Sequence, residues 1–200
     1  MPTILVTGFG PFPGAAVNPT GALVRSLAHI AKPPGLKLKV ATHVFETSYD
    51  AVDDELPALV KKHRPDALLM FGLATRRSKL SIETVARNSL GRAPDAIGHR
   101  PGARTIAAGM PLRQMMATPA QALLAAASAA KVPAAISCNA GNYLCNYLCW
   151  NATVLTAKRN GPRYAAFVHV PELRPGGRID AVALALAGTQ MLLALASQLR

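Results

Sequence analysis

The order of apolar segments predicts an α/β fold: a largely parallel sheet with helices on both faces. Three observations carry this. Short apolar runs alternate with helical patterns of roughly 12 to 20 residues, the signature of βαβ units. The runs are almost continuously apolar, which suits strands covered on both sides. The 200 residues are 50% hydrophobic and only 16% charged, with a mean hydropathy of +0.22. That is enough to fill a core, and it predicts one domain over residues 1–200.

Thr3 to Gly8 is a buried strand stopped by Gly8-Phe9-Gly10-Pro11-Phe12-Pro13-Gly14, which only a loop accommodates. The opening Met1-Pro2-Thr3 has no basic region before its apolar run and reads as this strand rather than a signal peptide. Thr20 to Ala31 predicts a helix with Leu23, Leu27 and Ile30 on one face and Pro33-Pro34 beyond its end. Lys37 to Phe45 is a strand. Tyr49 to His63 is a helix striped by Val52, Leu56, Leu59 and Val60, with Asp53, Asp54 and Glu55 in its early turns. Ala67 to Gly72 is a strand, and Leu80 to Ala86 a further strand in an otherwise weakly patterned region. Thr118-Pro119-Ala120-Gln121 carries the marks of a capping box, with a helix running on to about Ala130. A strand follows at Ala134 to Ser137, a helix at Leu144 to Lys158, a strand at Ala165 to Val170 and a final helix at Asp180 to Arg200. In such a sheet ligands sit beyond the carboxyl ends of the strands, so the loops after Gly8, Gly72, Ser137 and Val168 are where chemistry is expected.

Composition narrows the function. Twenty-two Lys and Arg against ten Asp and Glu give a formal net charge of +12, and eight basic residues face two acids between Arg76 and Arg113. This permits nucleic-acid contact, but no helix-turn-helix, zinc finger or RNA-binding signature accompanies it, and nucleic acid is not an expected partner. The longest apolar stretch, Ala181 to Ala196, is interrupted by Gly188, Thr189 and Gln190 and falls short of the roughly 18 to 20 residues of a membrane span. Three cysteines, Cys138, Cys145 and Cys149, lie within 12 positions. An odd, crowded set is poor material for a disulfide framework and suits a reducing, cytoplasmic setting.

The chemistry concentrates in three places. Asn139 to Asn146 leaves a strand and enters a helix, putting Cys145 in the first turn. Unpaired backbone N–H groups and the positive end of the dipole there favour a thiolate and an oxyanion; the alternative is a small buried thiol. Cys149, one turn on, and Cys138, at the strand end, read as core. His169, at the carboxyl end of its strand, reads as a general base and acid, or as a hydrogen-bonded core histidine. Glu83 is an acid in an apolar strand and needs a partner: His169, completing a Cys-His-acid triad, or one of the nearby arginines. Zinc on Cys138, Cys145, Cys149 and His169 has no CxxC knuckle and would draw mainly on one helix. Gly8-Phe9-Gly10 is followed by prolines and phenylalanines, not by a helix start, and is no dinucleotide loop.

Four segments occurring in order, Thr7-Gly8-Phe9-Gly10-Pro11-Phe12, Ile82 to Asn88, Ala140 to Asn146 and Phe167 to Pro171, resemble those of the pyroglutamyl peptidase I (pyrrolidone-carboxylate peptidase) family of cytosolic cysteine peptidases. The resemblance runs from the first strand to the last helix. It implies a three-layer α/β/α sandwich that hydrolyses N-terminal pyroglutamyl residues from peptides. Cys145 takes the nucleophile's pattern, His169 the base's and Glu83 the orienting acid's. Phe9 and Phe12 match loop phenylalanines that would flank the pyrrolidone ring, and Asn18 an asparagine of the same loop. Tyr143 and Leu144 match pocket residues, and Arg92 an arginine near the nucleophile. The resemblance further implies no metal or organic cofactor, and a homo-oligomer, commonly a tetramer. Pyroglutamate is a neutral lactam, so apolar walls with a few amide hydrogen bonds suit it. The chain departs from the family at Pro13, at Glu46, in a segment one residue shorter between Glu83 and Arg92, and in the loop Pro94 to His99. These departures leave room for a diverged member that handles another small acyl or lactam group, or for an inactive binder.

Overall fold

Side chains leave a strand alternately on its two sides, and the buried strands here use both. The computed structural model describes residues 1–30, 33–174 and 176–200. In chain order the elements are β1 (Thr3–Phe9), α1 (Pro19–Leu27), β2 (Lys39–Phe45), α2 (Tyr49–His63), β3 (Ala67–Leu73), β4 (Leu80–Glu83), β5 (Val85–Arg87), β6 (Arg113–Met115), α3 (Ala120–Ala129), β7 (Ala134–Ser137), α4 (Leu144–Thr156), β8 (Tyr164–Val170) and α5 (Ala181–Ser197). Ile4, Val6, Leu69, Phe71, Ala166 and Val168 pack with α1, α3 and α5. Leu5, Phe9, Leu68, Met70, Ala165 and Phe167 pack with α2 and α4. The three layers follow from this alternation.

The sheet has six strands in the order β2-β1-β3-β8-β4-β7. Four of its neighbouring pairs are parallel and one, β4 with β8, is antiparallel. The expectation of a mostly parallel sheet holds. However, β4 and β7 run against the other four strands, which sequence periodicity does not encode. A separate two-stranded ribbon pairs β5 with β6.

Local sequence accounts for most boundaries. Ser48 caps α2 through Oγ, which accepts from Ala51 N at 3.2 Å, and Asp180 caps α5 by accepting from Ala183 N at 2.7 Å. Four expectations need correction. The first helix ends at Leu27 rather than Ala31, which itself lies outside the described residues; tight bonds from Ala28 N to Arg25 O and His29 N to Ser26 O close it early. Thr118 does not cap α3. Its hydroxyl instead donates to Ala165 O at 2.7 Å and Glu83 O at 3.2 Å, bridging β8 and β4, and Pro119 occupies the N-cap position without a side-chain bond. The strand expected from Leu80 to Ala86 breaks at Thr84, whose N–H and hydroxyl both donate to Ser137 O; beyond it β5 leaves the main sheet to pair with β6. Finally, Cys138 is exposed rather than core, whereas Cys149 is buried as expected.

Candidate active site

Parity decides which side chains meet. Leu80 and Ile82 of β4 face the α1/α3/α5 layer, so Glu83 points to the opposite face, as do Gly72 and His169. His169 pairs with Gly72 across β3 and with Ser81 across β4. Glu83, one pleat along, is its diagonal neighbour. The result is a bond of 2.8 Å between His169 Nδ1 and Glu83 Oε1, with both residues buried.

Glu83 is heavily coordinated. The same Oε1 lies 2.8 Å from an Arg77 guanidinium nitrogen, and Oε2 accepts from Asn139 N at 3.1 Å. Arg77 also donates to Asn139 O at 2.6 Å, tying together the two loops that flank the acid. Burial pushes the Glu83 carboxyl up, but hydrogen bonds from His169 and Ser137 and the charges of His169 and Arg77 hold it below the ordinary carboxylate value. The sequence left an imidazole and an arginine as alternative partners for Glu83. The fold supplies both, on one oxygen.

Cys145 is the second residue of α4, where Tyr143 is the N-cap. Its placement rests on two neighbours. Asn146, fully buried, spends its side chain on β5, accepting from Arg87 N and donating to Arg87 O, both at 2.8 Å. Gly72 then leaves the space that the thiol fills, since a Cβ at that position would stand 2.7 Å from Cys145 Sγ. His169 registers the thiol's proximity. Burial lowers the imidazole's pKa, but the charge of Cys145 and a hydrogen bond to it, with the bond and charge of Glu83, overturn that and raise it to about 9. Cys149 differs: complete burial, with the nearby charges of Cys145 and Glu83, pushes its thiol well above the ordinary value. Among the described residues no three His, Cys, Asp or Glu side chains gather as a metal-holding group, and no helix is long and apolar enough to cross a membrane.

The pyroglutamyl peptidase family model matches residues 2–192. The chain belongs to the pyroglutamyl peptidase family. It is 33% identical over 169 residues to the pyrrolidone-carboxylate peptidase of Thermococcus kodakarensis, covering 84% of this chain and 80% of that one. It is 34% identical over 169 residues to the Streptococcus pyogenes protein of the same name, covering 84% and 77%. Among solved structures, Bacillus amyloliquefaciens pyroglutamyl peptidase I superposes with a TM-score of 0.88 at 25% identity, covering 98% of each chain. A mutant pyrrolidone carboxyl peptidase from Pyrococcus furiosus gives 0.89 at 26% identity, covering 99% of this chain and 100% of that one.

In this pyroglutamyl peptidase family member the remaining site candidates separate by environment. Phe9 is the last residue of β1 rather than part of the loop, is only 2% exposed and packs on Phe45 with ring centres 5.8 Å apart. It belongs to the core. Phe12 is half-buried, its ring 6.3 Å from that of Tyr143. Asn18 caps α1 and donates from Nδ2 to Gly10 O at 2.9 Å; Thr47 donates to the same carbonyl at 3.0 Å. These bonds hold the loop that carries Phe12. Tyr143 is half-buried, donates to Pro94 O at 2.9 Å and meets Tyr49 edge-on. Leu144 is buried in the α2/α4 core. Arg92 is exposed, and its backbone carbonyl accepts from Arg100 at 2.7 Å; its neighbour Gly91 donates to Asn142 O at 2.6 Å, three residues before Cys145. Asp95 anchors this loop: it is buried and accepts from Tyr49 N at the start of α2 and from His99 N. Arg77, Asn139, Asn146 and Asp95 escape sequence reasoning because nothing local marks them; the one available signal was Glu83's need for a cation.

Proposed function

We propose that the protein is a cysteine exopeptidase that hydrolyses the N-terminal pyroglutamyl residue from peptides, through Cys145, His169 and Glu83. The observation that carries the reading is the buried His169–Glu83 pair, with Gly72, the partner of His169 across β3, opening directly onto Cys145 Sγ at a helix start.

Cys145 gives its proton to His169, and Sγ attacks the pyroglutamyl carbonyl carbon. The backbone N–H groups at the start of α4, which lack helical partners, face the developing oxyanion. Collapse of the tetrahedral species breaks the C–N bond, and His169 passes its proton to the leaving nitrogen, so a thioester and a free peptide amine result. Water, deprotonated by His169, then attacks the thioester, releasing pyroglutamate and restoring the thiol. Glu83 holds Nδ1 and compensates the imidazolium charge throughout. Arg77 and Asn139 are positioning residues that fix the carboxylate.

On the acyl side, Phe12 and Tyr143 supply apolar walls for the flat lactam, Asn18 acts by shaping their loop, and Phe9 and Leu144 back it from the core. Arg92 is assigned no step. The cycle uses no metal or organic cofactor. The catalytic unit is the whole chain as one domain, since the sheet draws strands from residues 3 to 170. Three free cysteines favour a cytoplasmic setting. The family resemblance favours a homo-oligomer, to be measured by light scattering on the purified protein.

Purified protein is expected to release a fluorophore from a pyroglutamyl amide but not from the corresponding glutamyl or prolyl amides. Loss of this release in Cys145→Ala supports the mechanism, and full activity in that variant removes it. Selective alkylation of Cys145 over Cys138 and Cys149 near neutral pH checks the nucleophile independently.

A further inference from the structure

The loops that follow β3 and β8 hold a cavity that the reaction cycle leaves unused. The loops after β3 and β8 wall a space of ≈ 360 Å³, with Arg76, Arg77, Arg174 and Arg178 set against a lone carboxylate, Glu172. Two of these guanidinium groups are occupied: Arg77 by Glu83 and Asn139, and Arg174 by Glu172, with bonds of 2.8 and 3.0 Å. Arg76 and Arg178 are exposed, and neither has a carboxylate partner among the described residues. The cavity therefore carries net positive charge and two uncommitted planar donors, the type suited to a carboxylate.

Its position relates it to one end of the substrate. Pro171, in its wall, is two residues beyond His169, and Arg77 shares Glu83 Oε1 with the imidazole. Phe12 and Tyr143, which we assign to the lactam, instead stand at the start of α4. His169 protonates the leaving nitrogen, and the arginines stand on the loops that continue from His169 and from Gly72, its partner across β3. The volume lies at the lower end of ordinary ligand sites, roughly 300 to 1,000 Å³, and suits a short stretch of peptide.

We infer that this cleft binds the leaving peptide and selects substrates with an acidic side chain shortly after the pyroglutamyl residue. The inference rests on the peptidase reading above and adds its substrate class. The formal net charge of +12 would assist by drawing acidic peptides towards the surface.

The test compares kcat/KM for pyroglutamyl-alanyl-aspartyl, -alanyl-alanyl and -alanyl-lysyl peptides, all with amidated C-termini. The aspartyl peptide is expected to exceed the alanyl one by about three- to tenfold at low salt, the range of one or two exposed ion pairs, with the lysyl peptide poorest. The preference should fall towards unity in Arg76→Gln/Arg178→Gln and at about 0.5 M salt, where exposed charges are screened. Because each enzyme is scored by a ratio of two substrates, a partly misfolded variant does not distort the result. Equal hydrolysis of all three peptides overturns the inference while leaving the peptidase intact. No hydrolysis of any peptide overturns the peptidase reading instead. In that case fluorescence polarisation with dye-labelled versions of the aspartyl and lysyl peptides decides the cleft: tighter binding of the aspartyl peptide supports it, and equal binding removes it.

Discussion

The two sides of the proposed reaction centre are built in opposite ways. Towards β4 and β8, the buried Glu83 carboxylate accepts from His169, Arg77 and the Asn139 backbone N–H in one network. Towards the loop after β1, Phe12 and Tyr143 meet by loose ring contact at 6.3 Å, and the polar groups nearby, Asn18 and Thr47, are spent on one backbone carbonyl. A network of charged hydrogen bonds in a low-dielectric interior defines one geometry and is costly to break in part. Apolar walls on a surface loop tolerate change. Chemistry is thus fixed on one side and specificity is adjustable on the other.

That contrast can be broken or sharpened by substitution. The largest effect is expected for Cys145→Ala, with release from a pyroglutamyl amide falling by more than about 10⁴-fold, since the nucleophile and its base act as a unit. Glu83→Gln should lower kcat by about 10² to 10⁴-fold with little change in KM, and the His169 titration, followed by NMR, should move down from about 9 as the carboxylate charge is lost. The folded-state pKa of Glu83 lies below its ordinary 4.5. Its contribution to stability is therefore full above pH 4.5 and fades as pH falls through the lowered value, so the urea midpoints of wild type and Glu83→Gln should converge there.

Arg77→Gln should reduce kcat by roughly tenfold, the scale of one lost charge-assisted bond. It should also shift the acidic limb of the rate profile to higher pH, because Glu83 loses a group that holds its pKa down. An unchanged limb with lowered stability alone would reduce Arg77 to a structural part. On the other side, Phe12→Ala is expected to raise KM by about tenfold with kcat nearly preserved, as for loss of an apolar wall. The smallest effect belongs to Asn18→Ala, a loss of about 1 kcal/mol of stability from an uncapped α1, measured by urea unfolding; a collapse of kcat there would show that Asn18 touches substrate directly.

Periodicity along the chain made the strands and helices legible, and strand-then-helix at Ala134 to Thr156 was enough to put Cys145 in a first turn. His169 was legible as a strand-end residue for the same reason. Phe9 shows where local reading stops: Gly-Phe-Gly-Pro looks like loop, yet pairing with Phe45 extends β1 through Phe9. Thr118 shows the converse, a good capping residue diverted to buried carbonyls of β4 and β8 that no window of sequence reveals.

By itself, then, the sequence determined an α/β fold, buried parallel strands and a thiol at a helix start, because helix and strand periods and cap chemistry are local properties of a chain. Only the tertiary structure decided that β4 runs against β8, that Glu83 answers to His169 and Arg77 on one oxygen, and that Gly72 opens the space for Cys145 Sγ. These depend on strand order and register between residues tens of positions apart. Pairing direction in a sheet is set by packing of the whole chain and leaves no mark on the residues that inherit it.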